Sequence, residues 1–394
     1  MENKKDKSIE HLFESNTLTF GDLKYIYTSA LKCQYFTDGP LLEKTDGQNL
    51  LFTYTKSEGL IFGKGNATKK ITMHDDVMYS DKNHINDSFL QIYKILRESI
   101  TKIKNTEYYF DNGKVWINCE ILNPDTKNVI QYCNKIYIQF HCFVTFVDGQ
   151  RVEYEVGLHN LVEELDSEYI ISDNVLKFTN DTSYECIKAI GLLDSKLKQI
   201  YKSYGLSDAS LIRDYYKNAF KLYIHNHITT EPQCVLHLSN RWGGYERKYR
   251  LDKKSISDDT ILRLAKEYDA DAWLHSQRLK DSLKEIFLFL GTLIMKNFEN
   301  ILCTDVVNSI QDLHSDHFKY CNEIETYLRR CPSDYVNRDL YYKYSKIINN
   351  IGLDKYVPIE GIVFEYKNNQ YKITNGLFTI LNQLHGIVKY GNLN

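Results

Sequence analysis

Apolar and polar residues follow two different spacings along this chain, and the change between them divides it. From Phe20 to about Gly157 they alternate in short runs, broken by turns such as Lys56-Ser57-Glu58-Gly59 and Val147-Asp148-Gly149-Gln150. A period of two is what a half-buried strand requires, because successive side chains leave opposite faces of a sheet. One stretch in this region, Ser88 to Ile103, is spaced for a helix. From about Ser183 to Asn350 apolar positions recur every three or four residues. That predicts helices over Tyr184 to Tyr204, Ser207 to Ile224, Asp258 to Tyr268, Asp271 to Phe298, Asp305 to Arg330 and Asp334 to Asn349. Several open on Ser or Asp, whose side-chain oxygen caps the unsatisfied N–H groups of a first turn. From Val357 strands return, Pro358 to Phe364 and Gln370 to Thr374, joined by the turn Lys367-Asn368-Asn369.

The pattern reads as an α+β protein built on antiparallel sheets with a large, mainly helical insertion. Three segments follow, residues 1–160, 161–350 and 351–394. The middle reads as an insertion, its two flanks pairing to build one site. There is no internal repeat and no low-complexity linker.

Composition narrows the setting. With 394 residues the chain exceeds one average domain and can bury a large core. A net charge of −3 exerts no global pull on nucleic acid, so any such surface is a local patch. Nine cysteines, an odd number with no C-x-x-C pair, argue against a disulfide framework and a zinc site and for a reducing compartment, the cytoplasm. No apolar run reaches the ~18–20 residues of a membrane helix, the longest being Ile286 to Met295, so no membrane partner is expected. The opening residues Met1 to Lys7 lack the apolar core of a signal peptide. Abundant Tyr, Asn, Ile and Lys imply AT-rich coding, which suits a phage or a low-GC host; if phage-encoded, the protein would act in the host cytoplasm.

Chemistry enters at Leu42-Glu43-Lys44-Thr45-Asp46-Gly47-Gln48-Asn49-Leu50, where a lysine precedes an acid, a glycine and an asparagine at fixed spacing. A lysine bonds to a nucleotide only when its amine is held unprotonated beside the α-phosphate, which asks for partial burial and neighbouring cations. Gly47 would let the backbone pass close to the nucleotide. Alone, K-x-D-G equally suits a strand ending in an Asp-Gly turn. Further pieces follow in order. Asp111 to Glu120 is a turn running into a strand that ends on a carboxylate, and Lys135 to Phe143 is a strand carrying Phe140. Glu360 opens the run Glu360-Gly361-Ile362-Val363, and Lys372 lies on the face opposite Tyr371 and Ile373. Glu120 and Glu360 border apolar strands, where a carboxylate is costly unless it meets a cation or a metal.

In this order the residues resemble the covalent nucleotidyltransferase superfamily of ATP-dependent ligases and capping enzymes, and most of all phage RNA ligases of the nick-sealing class. Motif I of that family is K-x-x-G, with asparagine five residues past the lysine in RNA ligases where DNA ligases tend to carry arginine; here that residue is Asn49. The resemblance implies the nucleotidyltransferase fold (ATP-grasp-like ligase), with motifs I to IIIa in the first segment and IV and V in the last. It implies that Lys44 takes up AMP and that Glu43, Asp46, Gly47, Asn49 and Lys64 line the nucleotide, Lys64 falling where arginine is usual. Glu120 would touch the ribose or a metal, Phe140 would stack on adenine, Glu360 would bind metal and nucleotide, and Lys372 would neutralise the α-phosphate. ATP with Mg²⁺ or Mn²⁺ and an RNA partner, possibly a nicked duplex or DNA, complete what the family implies.

The matching motifs occupy roughly residues 40–145 and 355–375, leaving the insertion without a counterpart. Thr374 stands where motif V usually has a second lysine, so Lys372 serves alone or with Lys367 or Lys389. Only about twenty residues follow Thr374, too few for an OB-like domain, so the insertion is expected to act as clamp or RNA platform. A DNA ligase or capping-type nucleotidyltransferase would use the same chemistry. Thr374 and Lys64 also keep open a nucleotide-binding phage protein that has lost turnover.

Within the insertion, Arg241 to Arg250 sets Arg241, Arg247 and Lys248 beside Trp242 and Tyr245. The cations suit phosphates and the rings suit bases; the same letters suit a charged glycine loop around a packed Trp242. His225 and His227 lack a third ligand nearby and read as ordinary polar residues. His141 reads as a hydrogen-bonded strand residue, and Asp75-Asp76 as loop.

Overall fold

The computed structural model describes residues 9–64, 69–71, 83–124, 129–130, 132, 135–179, 182–216, 218, 233–234, 251–252, 277–303, 306–330, 338, 341–342, 345 and 357–390. In chain order the first elements are β1 (Glu10–His11), α1 (Phe20–Leu31), β2 (Leu42–Lys44), β3 (Gln48–Thr55), β4 (Gly59–Lys64), β5 (Lys69–Ile71), α2 (Asn83–Ile100) and α3 (Thr106–Phe110). Next come β6 (Trp116–Leu122), β7 (Tyr137–Val147), β8 (Gln150–Tyr154), α4 (Leu158–Leu165), β9 (Ile170–Ser172), β10 (Lys177–Phe178) and α5 (Tyr184–Tyr204). Then follow β11 (Gln233–Cys234), β12 (Leu251–Asp252), α6 (Gln277–Met295), β13 (Phe298–Glu299), α7 (Val306–Arg330), β14 (Gly361–Tyr366), β15 (Asn369–Thr374) and α8 (Gly376–Tyr390).

Strands from the two ends of the sequence meet in a four-stranded sheet of order β1-β15-β14-β2. β2 runs antiparallel to β14 with Lys44 opposite Gly361, and β1 runs parallel to β15 with His11 opposite Lys372. The expected pairing of the flanks is therefore present. The β14–β15 hairpin turns on Lys367 and Asn368, both at positive φ (51° and 60°), the two-residue turn whose twist matches that of the strands. Lys367 is held in that conformation by its N–H to Asp38 (2.6 Å) and its ammonium to Asp22 (2.7 Å).

The second sheet has the order β5-β4-β3-β6-β7-β8, with β9 beside β7. Its inner face carries Leu50, Phe52, Ile117, Cys119, Ile121, Ile138 and Phe140 against α2, α3 and α4. Its outer face is polar where it approaches β2, and farther along holds a small apolar cluster of Leu51, Ile61, Trp116, Cys142 and Val144. Between these, the β6–β7 register slips at Asn118/Cys119: Glu120 faces Gln139 and Cys119 faces Phe140, but Asn118 faces Cys142. His141 is the extra residue of a bulge, a device that re-aims a side chain.

The back of the four-stranded sheet (Ile362, Phe364, Tyr371 and Ile373) packs on residues of α1, α5 and α6, among them Tyr27, Leu193 and Phe287. The helical stretch thus shares a core with the flanks. A further cluster joins α7 and α8 to Leu122, Ile130 and Tyr132.

Two elements depart from the alternation expected after Phe20, the short α3 and, at its start, α1. Phe20 to Leu31 is a helix, closed at its start by Thr19 and Asp22, each side chain meeting the other's backbone N–H (both 3.1 Å). Its buried Phe20, Leu23, Ile26, Tyr27 and Ala30 fall at helical spacing. α5 covers the predicted Tyr184 to Tyr204, and α6 and α7 lie inside the predicted Asp271 to Phe298 and Asp305 to Arg330. The expected helix Asp258 to Tyr268 lies outside the described residues. The architecture is mixed α+β with antiparallel sheets, and among the described residues no helix is long and apolar enough to cross a membrane.

Candidate active site

Lys44 ends β2 on the face of the four-stranded sheet away from the core, its side chain one quarter exposed. The neighbour of its strand partner, Glu360, turns its carboxylate onto the amine at 2.5 Å. Burial alone would push the Lys44 pKa down, but Glu360, Glu120 and Asp46 outweigh it and hold the pKa above its usual value. Lys44 is therefore an ammonium ion, and the neighbouring cations expected from the sequence are replaced by carboxylates. Burial raises Glu360 to about 7 against the pull of Lys44.

Two residues beyond Lys44 the chain crosses to the second sheet. Glu120, near the end of β6, accepts the Gly47 N–H at 2.9 Å on one oxygen and the Thr45 hydroxyl on the other. Burial opposes its charge, yet His141, Lys44 and Thr45 hold its pKa below the ordinary glutamate value. His141 Nε2 is 3.5 Å from Glu120, and its Nδ1 is 2.6 Å from Asp173. Despite burial, those two carboxylates lift His141 to about 10. A lysine, an imidazolium and several carboxylates thus share one partly buried patch.

Of the residues expected around the nucleotide, several are brought together. Lys372 lies on the same sheet face as Lys44, since Tyr371 and Ile373 point into the core and the register runs Thr374–Gly361–Lys44 across three strands. Thr374 bonds His11 Nδ1 through its hydroxyl at 3.1 Å. Asn49 sits opposite Glu120, exposed, donating to Asn118 at 2.8 Å.

Other expected residues are engaged within the protein. Phe140 is fully buried and packs on Phe52, 5.4 Å between ring centres, so it presents no face to a base beside Lys44. Glu43 points to the opposite side of β2 from Lys44, where its Oε2 accepts from Asn174 (2.6 Å) and the Leu302 N–H (2.8 Å). Asp46 anchors a loop: its carboxylate takes the Val129 and Ile130 N–H groups, and its own N–H donates to Tyr132. Gly47 is required by a neighbouring strand, because a Cβ there would sit 2.5 Å from Glu120 Cγ. Lys64 closes β4, and its side chain lies outside the described residues, as do Arg241, Trp242, Arg247 and Lys248.

The sequence reading missed Thr45, Gln139, His141 and Asp173 as parts of this patch. A signal existed: Ile136, Ile138 and Phe140 are apolar while Gln139 and His141 are polar, and alternation alone assigns the polar pair to the Glu120 face.

Among the described residues no group of three or more His, Cys, Asp or Glu side chains is arranged to hold a metal ion. Mg²⁺ is commonly held by one or two carboxylates and otherwise by substrate phosphates. Glu360 meets that requirement, whereas both Glu120 oxygens are engaged within the protein. Compared with known proteins, the chain matches no family model, no curated protein and no solved structure.

Proposed function

We propose that this chain is an ATP-dependent RNA ligase that joins 5′-phosphate and 3′-hydroxyl ends through a lysyl-AMP intermediate, on a nucleotidyltransferase fold. One observation carries the reading: Lys44 meets Glu360 at 2.5 Å, with Glu120 bonded to the residues just after it. Motifs far apart in the sequence thereby converge on one amine.

In the first step Lys44 gives a proton to Glu360, whose elevated pKa makes it a competent base near neutrality. The freed Nζ attacks the α-phosphorus of ATP. An N–P bond forms as the bond to the bridging oxygen breaks, and pyrophosphate leaves with that electron pair. Lys372, on the same sheet face, would neutralise the oxygens that gain charge. Mg²⁺ or Mn²⁺, held chiefly by the phosphates, would supply further charge neutralisation. AMP then passes from Lys44 to a 5′-phosphate end, and a 3′-hydroxyl displaces it to seal the strand. Asn49 favours RNA over DNA. On β7 the ring turned toward Glu120 is that of His141, which leaves it, and not Phe140, to border the nucleotide.

Incubation with α-labelled ATP and Mg²⁺ tests the reading: a covalent band is expected, absent in Lys44→Ala. Labelled GTP, and nicked RNA against nicked DNA, separate it from a capping enzyme or a DNA ligase. A second reading, a nucleotide-binding protein without turnover, draws on Thr374, whose hydroxyl is bonded to His11 where the family offers a lysine. Nucleotide binding with no covalent band would favour it.

A further inference from the structure

The stretch from Ile170 to Leu176 crosses from one sheet to the other. Its first residues lie parallel to β7, Ile170 opposite Ile138 and Ser172 opposite Phe140. It then runs along β2: the Glu43 N–H donates to the Asn174 carbonyl (2.8 Å), the Leu176 N–H donates to the Leu41 carbonyl (2.8 Å), and Val175 faces Leu42. Two adjacent side chains on this strap grip the two sheets. Asp173 Oδ1 takes His141 Nδ1 at 2.6 Å and Gln139 Nε2 at 2.8 Å, both from β7. Asn174 donates to the carboxylate of Glu43, next to Lys44, and to the Asn300 carbonyl, each at 2.6 Å.

We infer that Asp173 and Asn174 are positioning residues for lysine adenylylation, Asp173 acting through His141 on Glu120 and Asn174 acting through Glu43 on Lys44. This rests on the ligase reading above. The carboxylate of Asp173 can only accept, so both bonded nitrogens must donate to it and the orientation of the His141 ring is fixed. That ring directs its other nitrogen at Glu120. Asn174 restrains the strand that carries the nucleophile. Reacting groups must be held to a fraction of an ångström, and a 1 Å displacement costs on the order of 10²-fold in rate.

The experiment measures single-turnover lysyl-AMP formation in parallel with the NMR signal of the hydrogen-bonded His141 Nδ1 proton. Asp173→Ala should slow labelling about 10–100-fold, as loss of an outer-shell partner does, and should abolish the proton signal. Asp173→Asn, which keeps the accepting oxygen, should stay within about threefold of wild type and retain the signal. In a His141→Ala background Asp173→Ala should add nothing, because the two act as one unit. Asn174→Ala should slow labelling while leaving the proton signal intact. Independent, multiplying losses in the double variant, Asp173→Asn as slow as Asp173→Ala, or unslowed labelling in Asp173→Ala or Asn174→Ala would overturn the assignment. A wild type that takes no label overturns the ligase reading itself. The strap's grip on His141 then stands or falls on whether the proton signal vanishes in Asp173→Ala and survives in Asp173→Asn.

Discussion

Lys44 and Glu360 form a 2.5 Å ion pair where β2 meets the start of β14, and the pair holds Lys44 in its protonated form. In the proposed reaction, deprotonation is therefore part of the barrier. Glu360→Gln removes the charge that does most to raise the Lys44 pKa, leaving burial opposed only by the more distant Glu120 and Asp46. Two effects are expected together. The labelling rate at its plateau falls about 10²–10³-fold, the scale of losing a pre-placed charged group, and the acid limb of the pH–rate profile moves to lower pH. Single-turnover labelling across pH checks both. A limb that stays in place would separate Glu360 from the lysine proton.

Phe140 offers a clean separation between core and ligand contact. It is wholly buried against Phe52 on the face of the sheet covered by α2, α3 and α4. Phe140→Leu keeps roughly the volume and the apolar character, so it should cost about 1 kcal/mol of stability and leave the KM for ATP unchanged. Thermal unfolding and steady-state kinetics measure the two. A raised KM without a lower melting temperature would return Phe140 to the nucleotide.

The contrast between Phe140 and His141 shows where the sequence was legible and where it was not. Strand periods locate β6, β7, β14 and β15, and with them Glu120 and Lys372, whereas Lys44 and Glu360 are legible from the K-x-D-G and E-G-I-V runs. Alternation puts His141 on the Glu120 face; what it does not reveal is the bulge, which takes an extra residue into β7. Adjacent strand residues point to opposite faces, so Glu43 and Lys44 do not share one. α1 was hidden by reading its apolar residues at the wrong period, although Thr19 and Asp22 form a legible cap. Asp173 and Asn174 sit in a short strap whose role is set by two sheets that only the folded chain brings together.

Gly47 tests the packing of the lysine loop on β6. An added methyl would meet Glu120 Cγ at 2.5 Å and the Ile121 carbonyl oxygen at 2.6 Å, and the latter belongs to backbone that cannot swing away. Gly47→Ala is expected to destabilise by about 1–3 kcal/mol, the usual cost of overpacking. It should also lower labelling, since the Gly47 N–H would be forced off Glu120. Urea unfolding midpoints and the label assay check this; an unchanged midpoint would mean the loop relaxes freely.

Glu43 gives a stability prediction with a defined sign. Its carboxyl is almost completely buried, among the described residues only Oε2 of its two oxygens has hydrogen-bond partners, and burial raises its pKa from 4.5 to about 7, only partly offset by the Leu302 N–H and Asn174. The folded state therefore binds the proton more tightly than the unfolded chain. Stability from this group is fully present below pH 4.5 and is lost as pH rises to about 7, a loss on the order of 3 kcal/mol for a shift of this size. Glu360 shifts in the same direction, so wild type alone cannot assign the effect. Glu43→Gln can, because its amide carries no titrating proton and keeps an oxygen for Asn174 and the Leu302 N–H. The variant should match wild type near pH 4.5 and become the more stable protein by pH 8, the gap opening between those values. Urea midpoints measured across that range provide the check, and curves that stay parallel would show that Glu43 does not titrate in the folded protein over this window.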